Sequence, residues 1–199
     1  SGNEYRTKLA KLAGTIRDRF GAPEVMALVE VENQRVVDDL LARPELAGLG
    51  YRSVLLPTTG RRSITPVLLV RGEGIEVLGA HQLQQGSDPN EESIWDAAKA
   101  GATGPLFSRE PLVVDLRIPT IDGSGEDLTV VVNHLVSKFS PHGVPTDPVR
   151  IAQTTFLREQ VAAMRAQDPD REVVVLGDFN DTPDSKAMKA LTGPRTRPT

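Results

Sequence analysis

The stretch Val173-Val174-Val175-Leu176-Gly177-Asp178-Phe179-Asn180-Asp181 decides how this chain is read. A run of apolar β-formers passes straight into a turn carrying a glycine, two carboxylates and an amide. A strand without polar alternation is buried on both faces. In α/β proteins the residues just past the carboxyl ends of such strands are where ligands bind. Gly177 permits a tight turn. Asp178 can orient a water or approach a metal, and Asn180 can fix an attacking oxygen or a phosphate. The plain alternative is an Asx turn leading into a helix. Phe179 is expected to pack inward.

Two other strands end in a similar way. In Ala27-Leu28-Val29-Glu30-Val31-Glu32-Asn33 an acid, Glu30, closes an apolar run. A carboxylate at a buried strand end is costly unless it is paired, and a hard divalent cation taking oxygen ligands would stabilise it. The alternative is an exposed strand-end acid or a first-turn acid of the next helix. In Val130-Val131-Val132-Asn133-His134-Leu135 the strand ends in an amide and an imidazole. Histidine can stabilise or protonate a charged oxygen near neutral pH, whereas a capping Asn and a hydrogen-bonded surface His would need no function. His81 and His142 lack such a setting. Arg61, Arg62, Arg109, Lys138 and Arg150 lie on loops or element ends, where any of them can pair with a phosphate; Arg109 is preferred, although surface arginines are mostly solvated. There is neither a phosphate-cradling Gly-x-x-x-x-Gly-Lys string nor a Gly-x-Ser-x-Gly nucleophile elbow.

The elements around these ends mix helices with antiparallel pairs. Residues 5–20 carry the helical stripe Leu9, Leu12, Ala13, Ile16 and Phe20, stopped by Gly21 and Pro23. Val25–Val31 is a strand. Asn33 can cap a helix whose buried face is Val36, Val37, Leu40 and Leu41. Strands follow at Tyr51–Leu56, Pro66–Arg71 and Ile75–Leu78, the last two joined by a Gly72-Glu73-Gly74 hairpin. A long polar loop at 84–108 is functional or mobile. Leu112–Ile118 and Leu128–Asn133 are strands joined by a Gly/Asp-rich turn. A helix from Pro148 to about Gln167 turns Ile151, Thr155, Leu157 and Val161 inward. The strand Glu172–Leu176 and a short helix Asp184–Leu191 complete the pattern, which favours an α/β sandwich over a doubly wound parallel sheet. The expected organisation is a single domain over 5–192 and an unstructured tail at 193–199.

The bulk composition bounds the function. The 199 residues allow one sizeable core, and no apolar run approaches the ~20 residues of a membrane span. The chain contains no cysteine, which excludes disulfides, zinc-thiolate sites and thiol nucleophiles. A net charge of −4 gives no general attraction to nucleic acid. A cation held by carboxylates can still supply positive charge where a nucleic acid is bound.

Taken in order, Glu30 in ALVEVEN, His134 in VVVNHLVSK, and Asp178 with Asn180 in VVVLGDFND resemble the endonuclease/exonuclease/phosphatase superfamily of DNase I-like folds, with bacterial nucleases the nearest type. Arg109-Glu110-Pro111-Leu112 and the helix opened by Arg150-Ile151-Ala152-Gln153 fit the same resemblance. It covers roughly residues 5–192. It implies an α+β sandwich of two packed mixed or antiparallel sheets flanked by helices, and metal-dependent phosphoester cleavage with Mg²⁺ (or Mn²⁺ or Ca²⁺). Carried over by position, Glu30 is the metal ligand, and Asn133 and Arg109 contact the substrate. His134 donates a hydrogen bond or proton, Asp178 positions the attacking water, and Asn180 orients that water and the phosphate. The implied substrate is DNA or RNA; a phospholipid or inositol phosphate, or a non-catalytic binding domain, are the other readings.

The sequence departs from the family pattern at three places. The family usually opens with a strand ending in a metal-site Asn and closes with an Asp-His signature, and neither is found here. Arg61-Arg62-Ser63-Ile64-Thr65-Pro66 stands where an Arg-Gly-Ile-Asp type string is common, so Thr65 carries no acid. The expectations are an incomplete domain lacking its first and last strands, weak or no activity for residues 1–199 alone, and sheet edges open to self-association. No stable protein partner is inferred. A secreted bacterial location is preferred over a cytoplasmic one.

Overall fold

The computed structural model describes residues 2–57, 64–83, 106–139 and 145–193. In chain order these form α1 (Gly2–Gly14) with a π-helical turn (Thr15–Arg19), β1 (Val25–Val31), α2 (Gln34–Leu41), β2 (Arg52–Val54), β3 (Thr65–Val70) and β4 (Glu76–Gln82). There follow β5 (Leu112–Ile118), β6 (Glu126–His134), α3 (Asp147–Gln167), β7 (Glu172–Asp178) and α4 (Lys186–Thr192). Three strands make one sheet, ordered β1-β3-β2, and four make the other, ordered β4-β5-β6-β7. All neighbours are antiparallel except β6 and β7, which run parallel.

Strand alternation sorts the apolar residues into layers. Leu68 and Val70 of β3 meet Leu112, Val114 and Leu116 of β5 and Val130 and Val132 of β6 in the core between the sheets. The intervening residues point outward to helices. Val113 and Val131 pack with Ala152, Phe156 and Leu157 of α3. Val67 and Leu69 pack with Val37 of α2, while Leu9, Ala13 and Ile16 of α1 meet Leu40. Helices therefore cover both outer faces of a two-sheet sandwich. This explains why the central strands read as unbroken apolar runs; the run Val173–Leu176, expected to be buried on both faces, is instead the edge strand β7 and leaves Val174 43% exposed.

Three local expectations are corrected. Gly72-Glu73-Gly74 does turn the chain, with φ of 114° and 88° at its glycines, but it makes no hairpin. Its two strands belong to different sheets, because Val70 and Ile75 both enter the inter-sheet core. On α1, Leu12 and Phe20 stay exposed at 40% and 62%; the π turn at Thr15–Arg19 widens the helix and rotates Phe20 off the apolar stripe. On α3 the buried face is Arg150, Gln153, Thr154 and Leu157 with Ala152 and Phe156, whereas Ile151, Thr155 and Val161 are only half-buried. The buried helix face contains three polar side chains because nearby backbone groups and the Asp181 carboxylate satisfy them. The Asn33 cap is present, its side chain accepting from the Val36 amide at 3.2 Å. The tail beyond Gly193, most of the 84–108 loop, Arg61, Arg62 and His142 lie outside the described residues.

Candidate active site

The carboxyl ends of β1, β6 and β7 meet at one end of the sandwich. Glu30 reaches it through a bulge. Leu28 pairs with Val67 and Val31 with Thr65, so β1 carries one residue more than β3 over this interval. The bulge lies opposite Pro66, which has no N–H to give to the ladder. Glu30 takes a left-handed φ of 61° there. This turns its carboxylate toward the other sheet, where Oε1 lies 3.9 Å from Nε2 of His134.

The parallel register places His134 opposite Asp178 and Asn133 opposite Gly177. Asp178 Oδ2 is also 3.9 Å from His134 Nε2. Two carboxylates from different sheets therefore bracket one imidazole, at a distance too long for a hydrogen bond. His134 is deep, with its side chain 5% exposed, while Glu30 and Asp178 stand at the mouth at 67% and 48%. The imidazole is the floor of a shallow acidic notch.

Backbone contacts set this geometry. Gly177 has φ of 131°, and a Cβ there would overlap the carbonyl of Asn133; only glycine lets β7 approach β6 so closely. The Leu135 amide donates to Asp178 O at 2.9 Å. Asn180, left-handed at φ 50°, donates its amide to Asp178 Oδ1 at 2.8 Å and its Nδ2 to Leu135 O at 2.9 Å. Asn133 is fully buried and donates Nδ2 to Leu176 O at 2.7 Å, so in this structure it braces the β6–β7 junction from inside. Arg109, expected on the surface, is buried at 6% exposure. It leads into β5 at the same end of the sheet as His134, since Leu112 pairs with Val132.

Sequence reasoning missed a buried polar cluster beside the notch. Arg150, read as a surface arginine, is 0% exposed and donates Nε to Asp181 Oδ2 at 3.2 Å. Lys138 Nζ meets the other oxygen of Asp181 at 2.6 Å. Burial pushes the Asp181 carboxyl up, but Lys138, the Thr182 amide, Arg150 and Ser185 outweigh it and hold it at about 2. The available signal was Arg150 and Gln153 falling on the same helical stripe as Leu157. Cavities among the described residues outside the notch include one of about 700 Å³ around the turn from Pro119 to Glu126 and one of about 440 Å³ between Lys138, Ile151, Asp181 and Lys186.

Among the described residues no group of three or more His, Asp or Glu side chains can hold a metal by itself. Glu30 nevertheless fits a hard cation. Mg²⁺ is commonly held by one or two carboxylates, with water and substrate phosphate completing its shell.

No curated protein sequence matches the chain. Solved structures share its fold. ANGEL2, a 2′,3′-cyclic phosphatase bound to adenosine-2′,3′-vanadate, is 19% identical with a TM-score of 0.61, over 94% of this chain and 47% of that one. Sphingomyelinase C from Streptomyces griseocarneus is 16% identical with a TM-score of 0.59, over 92% and 61%. A double mutant of beta toxin from Staphylococcus aureus with bound magnesium ions is 16% identical with a TM-score of 0.57, over 92% and 61%. The chain thus spans about half to three fifths of the length of these structures. The model of the Endonuclease/Exonuclease/phosphatase family matches residues 1–196, and the chain belongs to this family.

Proposed function

We propose that the protein is a divalent-metal-dependent phosphodiester hydrolase acting on DNA or RNA. The observation that carries this reading is the convergence of Glu30 and Asp178, from different sheets, on the one buried imidazole of His134. In this reading Glu30 holds the cation. When bound, the cation supplies Lewis-acid stabilisation of charge on the phosphoryl oxygens and draws an anionic substrate to a chain of charge −4. Asp178 orients the attacking water and accepts its proton. Asn180 holds the Asp178 carboxylate through its amide and fixes the turn against Leu135 through its side chain. His134 donates to an oxygen of the scissile phosphate, and its burial holds the ring in one place.

The test is hydrolysis of plasmid DNA, RNA and bis(p-nitrophenyl) phosphate with Mg²⁺ or Mn²⁺, together with calorimetric metal binding. Weak turnover is expected from residues 1–199, falling by about 10²–10⁴-fold in His134→Ala and Asp178→Asn. Glu30→Gln is expected to abolish metal binding. A chain that neither binds divalent metal through Glu30 nor cleaves any phosphodiester would overturn the reading. Cleavage of sphingomyelin vesicles in preference to nucleic acid would transfer the same chemistry to a lipid substrate, the reading favoured by the likeness to sphingomyelinase C.

A further inference from the structure

We infer that Arg150 and Asp181 form a buried positioning pair that holds the segments following His134 and Asp178 in register with each other. The inference rests on the site proposed above and adds residues that touch none of its reacting groups. A fully buried guanidinium must be paired and hydrogen-bonded, and the partners of Arg150 come from three segments. Nε donates to Asp181, next to Asn180. Nη1 donates to Val136 O at 3.2 Å and to Thr146 Oγ1 at 2.9 Å, and Nη2 pairs with Asp147.

Val136 lies two residues beyond His134, and α3 takes both of its backbone groups. Arg150 binds its carbonyl, and Gln153 Oε1 accepts from its amide at 3.0 Å. Gln153 Nε2 then donates to Leu106 O at 2.8 Å, which ties in the segment that leads to Arg109. Three approaches to the notch are therefore fastened to one helix. Asp181 is half of that fastener, set between the buried Arg150 and the more exposed Lys138. A satisfied polar network of this kind rigidifies its members. A lysine at 150 would keep the charge but lacks the planar fork needed to reach these acceptors together.

Hydrogen exchange on the whole 199-residue chain tests this separately from activity. Asp181→Asn and Arg150→Lys are each expected to speed exchange at the Leu135 and Asn180 amides by at least about tenfold, leaving Val113 to Leu116 of β5 unchanged. In hydrolysis assays they should lower kcat at least about tenfold and leave KM within about threefold. Unchanged exchange at Leu135 and Asn180, or equal acceleration across β5, would overturn the positioning role, and so would full kcat with loosened segments. If the wild-type chain neither cleaves a phosphodiester nor binds divalent metal through Glu30 while the local exchange pattern holds, the pair stands and the phosphodiesterase reading falls. Should Arg150→Lys not fold, the isosteric Asp181→Asn carries the test.

Discussion

At the residue scale two backbone positions set the notch. Gly177 tolerates no side chain, because the Asn133 carbonyl occupies the space and φ is 131°. Gly177→Ala should therefore destabilise the chain by about 3 kcal/mol or more, read from the denaturant midpoint. Glu30 sits in the opposite situation. It holds a left-handed φ that glycine adopts without strain. Glu30→Gly should leave stability unchanged or raise it by up to about 1 kcal/mol, while Mg²⁺ affinity falls at least about tenfold. A fall in stability would show that the carboxylate serves the fold rather than a ligand. Both strand-end strings were legible in the sequence. The bulge that aims Glu30 was not, because it depends on Pro66 lying opposite it.

At the scale of elements, caps and turns join each strand end to the next helix. Asn33 accepts from the Val36 amide, so Asn33→Ala should cost about 1 kcal/mol, again read from the denaturation midpoint. The turn after β7 is tied to α3 through Asp181, whose carboxyl is held at about 2. The folded value lies below the unfolded one, so the stability this group confers is complete above about pH 4 and is lost as pH falls toward 2. Asp181→Asn should flatten that limb of an acid-unfolding curve and lower stability at pH 7. A mutant curve parallel to wild type would show that Asp181 is not the titrating group. Asp122, held at about 2 by the hydroxyls of Thr120 and Ser124 and the Ser124 amide, titrates in the same window and is the control.

At the scale of the whole molecule, the candidate site straddles the two sheets. Glu30 belongs to the sheet of three strands and His134 and Asp178 to the sheet of four. β1 and β7 are both edge strands, and Val174 of β7 is 43% exposed. A cation bound across the notch would fasten the sheets and stabilise the folded state by about 2.7 kcal/mol at a hundred times its Kd. Tm should rise with Mg²⁺ concentration in the wild-type chain and stay flat in Glu30→Gln. A Tm that climbs equally in both would place the bound metal elsewhere.

The amino-acid sequence alone determined that apolar strands lead to Glu30, His134, Asp178 and Asn180, and which helix is capped by Asn33. These properties are local: they follow from periodicity, turn chemistry and the cost of burying a polar group. Only the tertiary structure decided that Gly72-Glu73-Gly74 crosses between sheets, that Asn133 and Arg109 lie inside, and that Arg150 is a buried anchor for Asp181. These depend on partners distant in the chain. Whether an arginine is solvated or buried depends on the carboxylates and carbonyls that folding brings to it, and no spacing within its own helix encodes them.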